Sequence, residues 1–165
     1  MRFVLDGMLG KLTRWLRMMG HDALYLNDTK DRDLVANAVK ENRILLTSDV
    51  ALYRLTIARG ADAYLVKGRT EAERLASLAS RFKLDLSVNT ANSRCPVCGS
   101  SLKEASKEEV KEKIPAATFN AFNEFWSCSN SECAKVYWQG SHWENIHTVL
   151  EKAKEIQRTS QTSGD

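Results

Sequence analysis

The chain has 165 residues, 43% of them apolar, and 24 basic against 21 acidic side chains give a net charge of +3. That is enough apolar mass for a hydrophobic core, in one domain of ordinary size or a compact domain with a small appendage. Apolar runs of only a few residues exclude a helical membrane span. The start, "MRFVLDGM", lacks the long apolar segment and cleavage site of a signal peptide, so a cytoplasmic location is expected.

Strands are expected at 2–6 ("RFVLD"), 23–27 ("ALYLN"), 43–47 ("RILLT") and 63–67 ("AYLVK"). Helical spacing fills the intervals at about 8–19, 32–41, 50–59 and 70–82; Thr70 with Glu73 three residues on has the form of a capping box. Strands alternating with helices of this length predict parallel β-α-β units with right-handed crossovers. A polar stretch without period, 87–101, ends that pattern. Beyond it come a charged helix over 106–113, two short aromatic strands around a cysteine pair, and a final helix over 141–157. In that helix Trp143, Ile146, Val149, Leu150, Ala153 and Ile156 share one face. Residues 1–85 therefore read as an α/β domain, 86–158 as a ribbon plus helix, and 159–165 as a disordered polar tail.

The first and third strands both finish on an acid, Asp6 and Asp49. In an open parallel sheet the carboxyl ends of the strands share one edge, where ligands bind. With strand order 2-1-3-4 the two carboxylates become neighbours. Paired acids are costly to desolvate unless a cation neutralises them, and hard oxygen ligands suit Mg²⁺ or Mn²⁺. A third acid is expected from Asp28, Asp31 or Asp33, with helix capping as the competing use of Asp31. Asp22 and Asp62 fall at strand starts on the opposite edge and are expected to be solvated.

On the first helix Met8, Leu9, Leu12, Trp15, Leu16 and Met19 gather on one arc and Lys11, Arg14 and Arg17 on the other. Such a basic stripe suits the phosphates flanking a scissile one; a plain solvated face is the alternative. Residues 1–94 carry 16 basic against 11 acidic side chains, and residues 95–165 carry 8 against 10. No GxxxxGK[ST] loop is present, and no serine or cysteine sits in a recognisable nucleophile setting that would support a hydrolase triad.

Cys95 and Cys98 in "CPVCG" and Cys128 and Cys133 in "CSNSEC" form two close pairs about thirty residues apart, the pattern of a Cys₄ zinc ribbon. Four protein ligands leave no open position for water, so this zinc would be structural. His142 and His147 read as packing or surface residues. Trp126, Tyr137, Trp138 and Trp143 either form the ribbon's small core or offer faces for base stacking.

The segments "FVLDGMLGKLTRWLRMMGHD", "DRDLVANAVKENRILLTSDVAL", "RCPVCG" and "KVYWQGSHWENI" resemble the PIN-like ribonucleases, specifically the branch with a C-terminal zinc ribbon, the Mut-seven C-terminal RNase domain. The resemblance covers about residues 1–150. It implies a PIN-like open parallel sheet with helices on both faces, followed by a zinc ribbon and a C-terminal helix. It also implies a ribonuclease dependent on Mg²⁺ or Mn²⁺ held by aspartates. Position by position, Asp6 matches the acid after the first strand, Asp33 the acid of the helix before the third strand, and Asp49 that of the "TxD" turn, with Thr47 orienting Asp49. Many PIN enzymes carry a fourth acid shortly after that turn, whereas "VALYR" follows here, leaving one or two catalytic metals open. The wider spacing of the second cysteine pair also departs from the family's usual CxxC. Lys11, Arg14 and Arg17 are the expected phosphate contacts and RNA the expected substrate. Single-stranded DNA stays open because aspartates and metals read phosphate rather than the 2′-hydroxyl. Two other readings are a non-catalytic zinc-ribbon RNA-binding module and a receiver-like domain with Asp49 as phosphoacceptor. Against the receiver, the residue after Asp6 is Gly7 rather than a second acid.

Overall fold

The computed structural model describes residues 1–162, with side chains through Ser160. Four strands, β1 (Arg2–Leu5), β2 (Asp22–Tyr25), β3 (Ile44–Thr47) and β4 (Ala63–Leu65), form a parallel sheet of order β2-β1-β3-β4, as expected. The strand residues alternate strictly between two cores. Phe3, Leu5 and Leu46 face one side, with α1 (Gly10–Met18), α4 (Glu71–Phe82) and α7 (Ser141–Thr162). Val4 and Leu45 face the other, with α2 (Asp31–Glu41) and α3 (Val50–Ala58). Because β1 and β3 pair in register, Val4 with Leu45 and Leu5 with Leu46, their carboxyl ends finish side by side. The connections run one way from β1 to β2 and the other way through β3 to β4, which makes the gap beyond β1 and β3 the topological switch point.

The helices stop where the chain turns left-handed, at Asn42 after α2 and Lys83 after α4. Thr70 and Glu73 make both bonds of the expected capping box. The charged helix is shorter than expected: only α5 (Lys107–Val110) forms, capped by Ser106 and Glu109. A further short helix, α6 (Ala116–Ala121), was not foreseen. The ribbon has three antiparallel strands rather than two, in the order β5 (Leu102–Ala105), β6 (Phe125–Cys128) and β7 (Val136–Tyr137). The last helix does not end at residue 157 but continues to Thr162, so most of the polar tail expected to be disordered is helical; residues 163–165 lie outside the described residues. Leu150 and Ala153 of α7 sink into the core beside α4, which ties the end of the chain to the sheet.

The amino edge of the sheet holds a charge clasp. Buried Arg43 donates to Asp22 at 2.9 Å and to Glu41 at 2.7 Å, and Arg2 reaches both acids. Asp22 is therefore not simply solvated: burial opposes its ionisation, but the bonds from Arg43 outweigh burial and hold its carboxyl below the usual range. Beside this clasp His21 packs edge-on against Phe3, and its Nε2 is buried with no hydrogen-bond partner among the described residues. Burial, then the nearby N-terminal ammonium, push this imidazole down to about 4. The unfolded chain binds that proton more readily, so the stability from neutral His21 is full above about pH 6.5 and is lost as the pH falls toward 4. An His21→Phe variant should accordingly show less destabilisation than wild type across this window, read from urea unfolding followed by circular dichroism.

Candidate functional site

At the carboxyl edge Asp6 follows β1 and opens a single 3-10 turn, Gly7–Leu9, with Oδ1 accepting the Met8 N–H at 2.8 Å. Its side chain is 6% exposed, and its other oxygen accepts a short hydrogen bond from the hydroxyl of fully buried Thr47. Thr47 Oγ1 in turn accepts the backbone N–H of Asp49 at 2.9 Å. One hydroxyl therefore links the ends of β1 and β3, fixing the Asp6 carboxylate directly and Asp49 through its backbone. Asp49 caps α3, with Oδ1 accepting from Ala51 and Leu52 at 2.6 and 3.0 Å. Its Oδ2 accepts no hydrogen bond among the described residues.

Asp33 lies in the first turn of α2, exposed and without a hydrogen bond to its carboxylate among the described residues. Lys30 occupies the cap position of that helix, so Asp31 does not cap it. Asp28 is engaged locally, accepting from the Asn27 amide at 2.9 Å. The edge thus presents Asp6, Asp33 and Asp49 with no basic partner in an ion pair among the described residues. As a donor set they suit a hard divalent cation, which keeps several waters and binds through one or two carboxylates. The three aspartates do not, however, come within mutual ligand distance; among the described residues only the four cysteines gather that closely.

Lys11 and Arg14 are exposed on α1, as the basic stripe requires. Arg17 is not part of that surface. It is 6% exposed, and its guanidinium donates to the carbonyls of Ala23 at 2.9 Å, Pro96 at 3.1 Å and Val97 at 2.7 Å. The first cysteine knuckle has folded over the Arg17 end of the basic arc, making Arg17 a bolt between ribbon and sheet. Met8, expected on the apolar arc, is instead 75% exposed, next to the aspartate edge.

In the ribbon the Sγ atoms of Cys95 and Cys133 are 3.7 Å apart and those of Cys98 and Cys128 are 3.4 Å apart, and all four lie within 4.8 Å of one another. A tetrahedron of zinc–sulfur bonds has edges of about 3.8 Å, so the four cysteines have the geometry to hold zinc. The wide second loop is closed by Asn130, whose side chain accepts from Glu132, and by Ala134 in the left-handed region. Gly99 is also left-handed, and a Cβ there would lie 3.0 Å from Arg17 Nε. Burial opposes ionisation of Cys98, but hydrogen bonds from Ser100 outweigh burial and hold its thiol down to about 6. Tyr137 places its hydroxyl 3.0 Å from Cys95 Sγ, where it can donate to a thiolate.

A family model described as the Mut7-C RNAse domain matches residues 1–150. The chain belongs to the Mut7-C RNase family. Comparison with curated proteins and with solved structures found no match. The Mut7-C match runs from β1 into α7, so it takes in the parallel sheet, the cysteine cluster and the helix that returns to the sheet. Two supports of this Mut7-C chain carry no sequence signal. Tyr25 donates to the Gly7 carbonyl at 2.9 Å and rests against Gly10, where a Cβ would sit 3.0 Å from its hydroxyl. Arg43 spans the opposite edge, and in sequence it is one basic residue among many.

Proposed function

We propose that this Mut7-C domain is a metal-dependent ribonuclease that hydrolyses RNA phosphodiesters at the carboxyl edge of its sheet. The observation that carries the reading is Asp6: a buried carboxylate with no basic partner among the described residues, held by Thr47 beside Asp49 at the switch point. Asp6 and Asp49 would hold Mg²⁺ or Mn²⁺, with Asp33 contributing from α2. Such a cation, when bound, activates water and offsets charge on the phosphoryl oxygens.

The chain's own residues do the rest. Thr47 keeps Asp6 in one orientation, so little reorganisation is needed when substrate arrives. Lys11 and Arg14 bind phosphates on either side of the scissile one, and Arg17 serves the ribbon instead. No acid occupies the first turn of α3, which favours one cation over two. Zinc in the four cysteines would be structural, and cysteines that bind metal rather than pair in disulfides suit a reducing, cytoplasmic setting. Cleavage of a labelled mixed-sequence RNA by the purified protein tests the reading. Cutting should depend on added Mn²⁺ or Mg²⁺ and stop without it; RNA binding with no cutting under either ion would favour the non-catalytic module.

A further inference from the structure

Between the ribbon and the start of α7 lies an apolar groove of about 610 Å³. Phe122, Trp138 and Trp143, all half-buried, line it together with the more deeply buried Trp126, and Arg94 and Met18 are among the other residues of its wall. The edge of the Trp138 indole rests against Gly140, where a Cβ would come within 2.8 Å of Nε1, so the missing side chain sets where this ring lies. Arg94 spends one nitrogen on the Gly99 carbonyl at 3.0 Å and is in no ion pair among the described residues.

The groove is not isolated from the aspartate edge. Lys11, Arg14 and Met18 stand at i, i+3 and i+7 on α1 and so form one line along the helix. That line begins one turn beyond Asp6, passes two exposed cations, and ends about 10 Å further on in the wall of the aromatic groove. An apolar peptide would use the groove but not the cations. A polyanion with flat, stackable side groups uses both.

We propose that this groove is a subsite for unpaired nucleobases of a single-stranded RNA, whose phosphates follow Lys11 and Arg14 toward the aspartate edge. The direction of the strand rests on the ribonuclease reading given above. Base–aromatic stacking is tolerant of sequence, so the subsite would select unpaired strands rather than a motif.

The test is binding of a labelled uridine decamer to the zinc-loaded protein without Mg²⁺ or Mn²⁺, followed by anisotropy and by quenching of tryptophan fluorescence. RNA should quench the wild-type protein, and Trp138→Ala and Trp143→Ala should each weaken binding by about 5- to 150-fold. Trp138→Phe should retain most of the affinity. Zinc content and circular dichroism matching wild type establish that the variants are folded. Wild-type affinity in both folded alanine variants, or quenching by an apolar helical peptide but not by RNA, would overturn the proposal. Cleavage is measured separately with Mn²⁺. Quenching by RNA without any cleavage would refute the ribonuclease reading and leave the subsite standing.

Discussion

Replacing Asp6 with Asn should lower RNA cleavage by on the order of a thousandfold while leaving the fold in place. In the wild-type protein this side chain accepts twice, from Met8 N–H and from the Thr47 hydroxyl. The amide in Asp6→Asn accepts through its oxygen alone and presents two N–H donors to Thr47, whose oxygen already receives Asp49 N–H. Thr47 then loses the acceptor for its own proton, and the edge loses its buried negative charge. The stability cost of that mismatch is about 1–2 kcal/mol, too little to unfold a domain. Asp49→Asn should be equally inactive yet milder in stability, since its remaining oxygen still caps α3. Thermal unfolding beside a cleavage assay separates the two effects. If either variant cut RNA at the wild-type rate, the hydrolytic centre would have to lie elsewhere.

Removing zinc should have the second large effect. Structural zinc supplies about 10–16 kcal/mol in small zinc-bound modules, comparable with the whole stability of a typical domain. The ribbon has little else to stand on: its strands are two to four residues long, and α5 and α6 together bury a single side chain, Val110. Chelation is therefore expected to release one zinc per chain and collapse the ribbon while the parallel sheet survives. Three of the four tryptophans, Trp126, Trp138 and Trp143, lie in or beside the ribbon, so intrinsic fluorescence should shift red in step with metal release. Fluorescence unchanged after complete loss of zinc would show that the cysteines are not holding the ribbon together.

The sheet was legible because each of its strands is a short apolar run closed by turn residues, whereas the alternation of Phe3, Val4 and Leu5 between two cores belongs to the structure alone. The acids at two strand ends needed only the rule that parallel strands share an edge. Arg17 was misread for the opposite reason. A helical wheel separates polar from apolar positions, but it cannot know that Pro96 and Val97, some eighty residues later, cover the polar side. Strand β5 escaped notice because its burial does not alternate; it is a strand by virtue of its pairing with β6. Helix α6 buries none of its residues and so leaves no periodic trace. The extra turns of α7 past residue 157 are polar, and helix can continue into such sequence once Leu150 and Ala153 have anchored it.

The return of α7 to the sheet changes what kind of appendage the ribbon is. Its chain leaves the sheet domain after α4 and comes back to pack on that same helix. The ribbon is thus a drawbridge hinged at both banks rather than a flag on a pole. When its metal is lost it has nowhere to drift, because both ends stay moored to α4 and bringing its two cysteine pairs back together remains a local, intramolecular event. A break in the chain within this excursion, between residues 111 and 114 for example, would leave two pieces still clasped through α7 and the sheet.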